Sequence, residues 1–449
     1  MNKHILTLLL GASITVPAQQ VYTLEQLKDS ALRHNMAIRE AKYNIASAQQ
    51  TRQEAFTKYF PEISGTGATF NAHQSTAKMT VNPSEALPAS LSQSLAQALP
   101  AEAIAALQSP ISVHMMKNGT IAGISAIWPV FTGGQIKSGN KLAQIGEDAA
   151  LLQLKLSENE VSKQTEEYFW QWVSLESKMR TVDTVAHLLR DVEKDVTTAI
   201  KAGMALQNDL LQVQLRENET ESQRIRLQNG ISILRLLLMQ YCGLKNEQFS
   251  LLAPSTLTAT PEAESLEPLV PETSLRQTAE YQLLVKGTDA AKWEKKMAIG
   301  QQMPTVAVGA GYNYHNLLEN NRTFGTAFAT VSVPISGWWG GSHAIKRKTL
   351  ALRNAEEQLK DKSELLMINM QNNRNSVTEA QQQLTIAQRS IVQAEENLRL
   401  HHNQYKAGTA TMSNLLEAQA LYQQALDSRT DAFARLQTQR LIYRQSIGR

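Results

Sequence analysis

The chain has 449 residues, 42% of them hydrophobic, with 44 Lys and Arg against 41 Asp and Glu, and its mean hydropathy is −0.30. Past the first twenty positions it has no run of about 20 apolar residues, which excludes a membrane protein built from several transmembrane helices; a formal charge of +3 with no basic block argues against nucleic acid as the main partner. With only 22 Gly and 13 Pro, both clustered, and 6% aromatic residues, long unbroken helices fit better than the roughly three globular domains that length suggests. In chain order, Lys3, the short apolar run from Ile5 to Leu10 and Val16-Pro17-Ala18 ahead of Gln19 form the pattern of a secretory signal peptide over residues 1–18. A buried N-terminal helix is the alternative reading. No cysteine follows the expected cut, so no lipid anchor is expected there. Cys242, the single cysteine, lies at an apolar helix end and reads as a buried, inert thiol rather than a nucleophile.

The remaining chain is a repeat. Lys201-Ala202-Gly203 recurs as Lys406-Ala407-Gly408, and the same offset carries Leu210-Leu211 onto Leu415-Leu416, Gln214 onto Gln419, Gly243 onto Gly448 and Trp128-Pro129-Val130 onto Val333-Pro334-Ile335. Gly133-Gly134 meets Gly340-Gly341 two residues out of step, and Phe60-Pro61 matches Met303-Pro304 at a longer offset. Residues 19–260 therefore form a first repeat, 261–272, with Pro261, Pro268 and Pro271, a linker, and 273–449 a second repeat. The first repeat holds extra chain at about 74–118.

Each half reads as helix, strand, loop, strand, a Pro and Gly-Gly junction (Pro129 with Gly133 and Gly134; Pro334 with Gly340 and Gly341), a very long helix, a Lys-Ala-Gly turn and a last helix. Alternation is clearest where Val306, Val308, Ala310, Tyr312 and Tyr314 interleave with Ala307, Gly309, Gly311 and Asn313. Phe324 to Ile335 is also β-rich, whereas Glu62 to Ala72 and Thr120 to Phe131 alternate weakly. In the helices, Leu352, Ala355, Leu359, Leu366, Val377, Ala380, Leu384, Ala387, Ile391, Ala394 and Leu398 step by three and four, a coiled-coil seam rich in small residues. The spans from Gln135 to about Ala199 and from His343 to about His402 contain no Pro and predict helices of roughly 90 to 100 Å.

Four tilted strands of about ten residues each suffice to cross a bilayer, because only alternate residues need meet lipid. Four strands do not close a barrel, and an open edge in lipid leaves backbone groups unpaired at a cost of several kcal/mol each. The expectation is a homo-oligomer with a shared barrel, mainly α with a small β contribution.

The sequence resembles the TolC-like outer-membrane efflux proteins in Leu24-Glu25-Gln26-Leu27 through Asn35, Phe60-Pro61, Pro129-Val130-Phe131-Thr132-Gly133-Gly134, and Tyr405-Lys406-Ala407-Gly408-Thr409 with Leu415-Leu416-Glu417-Ala418-Gln419. That resemblance implies a homotrimer giving four strands per protomer to a twelve-stranded outer-membrane barrel, above a long periplasmic helical tunnel. It also implies an exit duct for a tripartite efflux pump, partnered by a periplasmic adaptor and an inner-membrane transporter, with no chemistry and no cofactor of its own. A type I protein secretion channel is the alternative. By the same resemblance the turns at Gly203 and Gly408 form the adaptor-facing tips, Asp209 and Tyr405 hold the tunnel closed, and Asn414 and Glu417 fall where relatives carry two acidic rings. Ala410 replaces a common arginine and Asn414 a carboxylate, leaving Glu417 as the charged ring, with a weak cation preference.

Other residues admit two readings each. Trp128, Trp338 and Trp339 suit an aromatic girdle at the membrane boundary or packing inside the strand–helix junction. The 74–118 insert reads as an extracellular loop, with a plug or partner surface also open. His401 and His402 are adjacent, not at the i, i+4 spacing of a helical metal pair, and a solvated face is the better account. His73, Met79 and His114-Met115-Met116 suit either soft-metal contact or plain loop composition. A soluble periplasmic coiled-coil protein is the structural rival, against which the four strand segments and doubled junctions speak.

Overall fold

The computed structural model describes residues 20–73, 77–82, 109–115, 118–245, 249–252, 271–316, 321–335 and 337–449, with isolated positions between 100 and 105. The expected signal peptide lies outside these residues, as do Met116 and most of the 74–118 insert and of the linker. The elements are β1 (Gln20–Tyr22), α1 (Leu24–His34), α2 (Met36–Thr57), β2 (Glu62–Asn71), β3 (Ala77–Val81), β4 (Ile111–Met115), β5 (Asn118–Phe131), α3 (Gln135–Lys201), α4 (Gln207–Cys242), β6 (Phe249–Leu251), α5 (Pro271–Gln277), α6 (Ala279–Gly300), β7 (Thr305–Asn316), β8 (Asn321–Ser332), α7 (Gly337–Lys406) and α8 (Met412–Ser446). The chain divides into two compact units, one of Met1–Gln49, Ile145–Asp289 and Asn354–Arg449, the other of Gln50–Gln144 and Ala290–Arg353.

The first unit is helical. Thr23 caps α1 in a capping box with Gln26, the two exchanging side chain to backbone hydrogen bonds of 3.3 and 3.0 Å. Asn35 ends α1, accepts from the Ala37 N–H at 2.9 Å to start α2, and donates to Tyr241 O of α4 at 3.2 Å. A core of Leu27, Phe169, Trp172, Leu238, Phe249 and Leu436, all fully buried, ties α1, α3, α4, α8 and β6 together; truncating such a Phe or Trp to Ala costs about 3–5 kcal/mol. β1 pairs in parallel with β6, and Tyr22 meets Phe249 edge-on at 5.6 Å. Sequence patterning gave no sign of this pair, because three residues are too short for a period to register. Cys242 is buried and its thiol is pushed up to about 12 by that burial, the opposite of an activated nucleophile. Val377, Ala380, Leu384 and Ala387, expected in the seam of α7, are buried. Pro271 and Glu272, counted in the linker, instead open α5, where Pro at the first helical position loses no intrahelical bond.

The second unit holds an antiparallel four-stranded sheet of order β2-β5-β7-β8. Its registers run Glu62↔Ile127, Ile127↔Gly309 and Gly309↔Phe328 at one level, and Thr66↔Gly123, Gly123↔Asn313 and Asn313↔Phe324 at another. Among the described residues no strand pairs with the outer edge of β2 or of β8. β3 and β4 form a separate hairpin, Val81↔Ile111 to Ala77↔Met115, inside the segment expected to be loop. β8 begins at Asn321 rather than near Phe324, since polar Asn321-Arg322-Thr323 pair with Asn316, His315 and Tyr314, and it stops before Pro334, which has no N–H to give a ladder.

The two Pro and Gly-Gly junctions differ. Pro129 sits inside β5, beside a register shift before Phe131, a bulge where a missing N–H is tolerated. Gly133 and Gly134 then turn with φ of 60° and 80° into α3, and a Cβ on Gly133 would fall 2.4 Å from Gly300 O. Pro334 lies between β8 and α7, but α7 starts at Gly337, six residues before the expected His343, so Gly340 and Gly341 are helical rather than turn residues. Gly341 is small for another reason: the Gln302 side chain lies against its Cα.

Candidate functional site

Two regions carry the candidate residues, one in each unit. In the helical unit the paired turns are built alike. Gly203 and Gly408 adopt left-handed φ of 72° and 71°. Met204 N donates to Ala199 O at 2.8 Å and Gly203 N to Ile200 O at 2.9 Å; at the second turn Thr409 N donates to Gln404 O at 2.9 Å and Gly408 N to Tyr405 O at 3.0 Å. Both are Schellman ends, in which a side chain at the glycine position is strained. Past them the turns diverge. Leu206, the N-cap of α4, has no acceptor in its side chain, so the cap comes only from Asp209, whose Oδ2 accepts from the Leu206 N–H at 3.1 Å. The N-cap of α8 is Thr411, whose Oγ1 accepts from Asn414 N at 3.3 Å and donates to Asn414 Oδ1. Asp209 and Asn414 are thus the same position of the repeat.

Tyr405, half-buried at the end of α7, packs against the cluster of Leu189, Val192, Val196, Val213, Met412 and Leu415. Burial raises its hydroxyl pKa, and the charges of Asp209 and Asp195 raise it further, so the structure brings Tyr405 into the field of Asp209. Asn414 and Glu417 are exposed one turn apart on α8, while Met412, Leu415, Ala418 and Gln419 are buried on its other side. Ala410 is half-buried in the loop before them. Sequence reading missed Met204 and Leu206, exposed by 79% and 70%; the signal was an apolar residue in the first repeat where the second has the capping Thr411.

In the other unit, strand alternation and register divide the sheet into two faces. One carries Ile63, Ile124, Ala126, Trp128, Val306, Val308, Ala310, Tyr312, Ala327, Ala329 and Val331, and no charged side chain. The other carries Glu62, Ser64, Thr66, Ser125, Asn313, His315, Arg322, Thr326 and Thr330, with Phe70, Ile121, Ile127, Phe324 and Phe328 among them. That is the apolar-out, polar-in alternation of a transmembrane barrel wall. Trp128, on the apolar face, is 50% exposed and donates Nε1–H to Tyr59 O at 2.9 Å, a half-wet indole of the kind found in girdles. Trp339 is more exposed still. Among the described residues no group of three or more His, Cys, Asp or Glu side chains is placed to hold a metal ion.

Residues 287–449 match the family described as outer membrane efflux protein. No curated protein sequence matches the chain. Among solved structures, the chain is similar to CusC, described in relation to folding and transmembrane channel formation (12% identity, 95% of this chain and 92% of that one, TM-score 0.76). It is similar to the outer-membrane channel OprN (14%, 95% and 89%, 0.75) and to the outer membrane protein VceC of Vibrio cholerae (14%, 95% and 96%, 0.71). At such identities these likenesses establish the fold alone. The chain therefore has the fold of the TolC-like outer-membrane channels, and its residues 287–449 carry the match to the outer membrane efflux protein family.

Proposed function

We propose that three copies of the chain form the exit duct of a tripartite efflux pump. On this reading the four-stranded sheets join edge to edge into a twelve-stranded barrel in the outer membrane, and the long helices line a periplasmic tunnel that receives substrate from an adaptor and an inner-membrane transporter. The observation that carries it is the sheet: one face is free of charge, and among the described residues both edges lack partners. In lipid an open edge is too costly to persist, and copies of the same chain supply complementary edges. The paired Schellman turns are the adaptor-facing tips, with exposed Met204 and Leu206 as the apolar contact of the first. Asp209 and Tyr405 form the latch, and Glu417 the charged ring, with Asn414 beside it contributing no charge.

Fractionation tests the whole: a heat-modifiable trimer in the outer membrane supports the duct, and a soluble periplasmic monomer refutes it. Planar-bilayer recording tests the ring. A weak cation preference that disappears in Glu417→Gln supports it, and unchanged selectivity in that variant removes Glu417 from the ring.

A further inference from the structure

β8 presents Arg322, Phe324, Thr326, Phe328 and Thr330 on the polar face of the sheet. Of the three phenyl rings on that face, these two share β8, and Phe70 lies apart on β2. Both are partly open to solvent, Phe324 by 44% and Phe328 by 39%, and they stand about 13 Å apart along the strand. Phe328 lies opposite Gly309, and its ring rests across that glycine: a Cβ at 309 would sit 2.3 to 2.9 Å from three ring carbons. The missing side chain lets the ring lie down on the sheet and turn one π-face outward. Phe324 leans edge-on against His315, centroids 5.8 Å apart.

We propose that Phe324 and Phe328 form an aromatic strip on the inner wall of the bore that retains cations bearing aromatic rings in passage. This deepens the exit-duct reading and rests on it, since it requires the polar face to line the bore. The faces of phenyl rings carry negative potential and attract cations and other rings. Charge on the wall sharpens the choice of ligand. Glu62 lies at the register level of Phe328, whereas Arg322 and His315 lie at the level next to Phe324. Phe328 is therefore the stronger of the two positions for a cation, and an anion gains nothing there.

The test uses the purified full-length channel in planar bilayers, with tetraphenylphosphonium as probe and tetraethylammonium as the non-aromatic cation of equal charge. Tetraphenylphosphonium is expected to slow conduction at about fivefold lower concentration than tetraethylammonium, from ring–ring contacts with the two phenyl side chains that tetraethylammonium cannot make. Phe328→Leu, which keeps an apolar cover over Gly309, removes most of that difference, and Phe324→Leu removes less. Equal sensitivity to both cations in the unaltered channel, or block unchanged in the double Leu variant, overturns the proposal while leaving the duct intact. Labelling fixes the face independently. In a Cys242→Ala background, Phe328→Cys is expected to lose conductance on treatment with a charged, water-soluble thiol reagent, and no change would mean that β8 turns this face away from the bore. An unaltered chain that forms no channels refutes the duct itself, and the strip with it.

Discussion

The two turns of the helical unit share a backbone and differ in side chains. Glycine torsions agree within a degree and the closing hydrogen bonds within 0.1 Å, yet Met204, Leu206 and Asp209 in the first face Thr409, Thr411 and Asn414 in the second. The turn is thus specified by the glycine and the helix-end bonds alone. The side chains beyond it are free to vary, and they vary in a way that costs stability: Leu at an N-cap forgoes a bond that Thr supplies, worth about 1 kcal/mol. A position that gives up its cap and holds an apolar side chain in water answers to something other than the fold.

The largest effect that would sharpen this contrast is on permeability. Tyr405→Phe combined with Asp209→Ala is expected to raise single-channel conductance several-fold or to sensitise cells to large antibiotics, while Asn414→Ala, the same truncation at the second turn, is expected to do little. Unaltered permeability in the double variant would dissolve the distinction between the turns. Exchanging the caps comes next. Thr411→Leu should destabilise the detergent-solubilised protein, and Leu206→Thr stabilise it, each by about 1 kcal/mol, read from thermal unfolding. A loss of stability in Leu206→Thr would mean that Leu206 is buried in the assembly. Asn414→Asp makes the second turn electrically like the first. It should deepen cation preference in bilayer recordings and add a few tenths of a kcal/mol at the helix N-terminus.

The smallest effect concerns pH and again separates the repeats. Asp427 on α8 is held up to about 6 by burial, with Asp431 raising it and Lys178 opposing, and its Oδ1 is buried without a hydrogen-bond partner. The matching residue of the first repeat is Ser222, which is neutral. Because the folded pKa exceeds the ordinary value of 3.8, Asp427 penalises the folded state above about pH 6, and the penalty fades as pH falls toward 4. Asp427→Asn should flatten the stability profile across that window in unfolding experiments, and an unchanged profile would assign the dependence to other groups.

Much of this was legible in the sequence because long periods repeat their signal. A seam that steps by three and four over helices of 67 and 70 residues leaves little ambiguity, and Lys-Ala-Gly fixes both turns through a residue type that the backbone demands. The weak alternation of β2 and β5 has a physical cause: Gly65, Gly67, Ala122 and Gly123 leave both faces small, so hydropathy cannot tell them apart. β1, β6 and the β3–β4 hairpin were invisible because short strands are set by their partners. The second Gly-Gly pair misled for a different reason. Glycine marks left-handed turns and close approaches alike, and only packing, here Gln302 against Gly341, separates the two. Of the candidate site, the resemblance pointed to Asp209, Tyr405 and Glu417, but the capping by Asp209 and the openness of Leu206 are contact properties that one residue's identity does not carry.

The pairing of β1 with β6 joins Gln20–Tyr22 to Phe249–Leu251 across half the chain. Its consequence is kinetic. A parallel contact of such sequence separation must first meet the entropy of closing a very long loop, so Tyr22 reaches Phe249 only after the intervening strands and the α3–α4 hairpin have been made. The helical core containing Phe249 and Trp172 is therefore completed late. Until then its apolar stripes stay uncovered, which is the condition in which a partly folded chain is prone to aggregate.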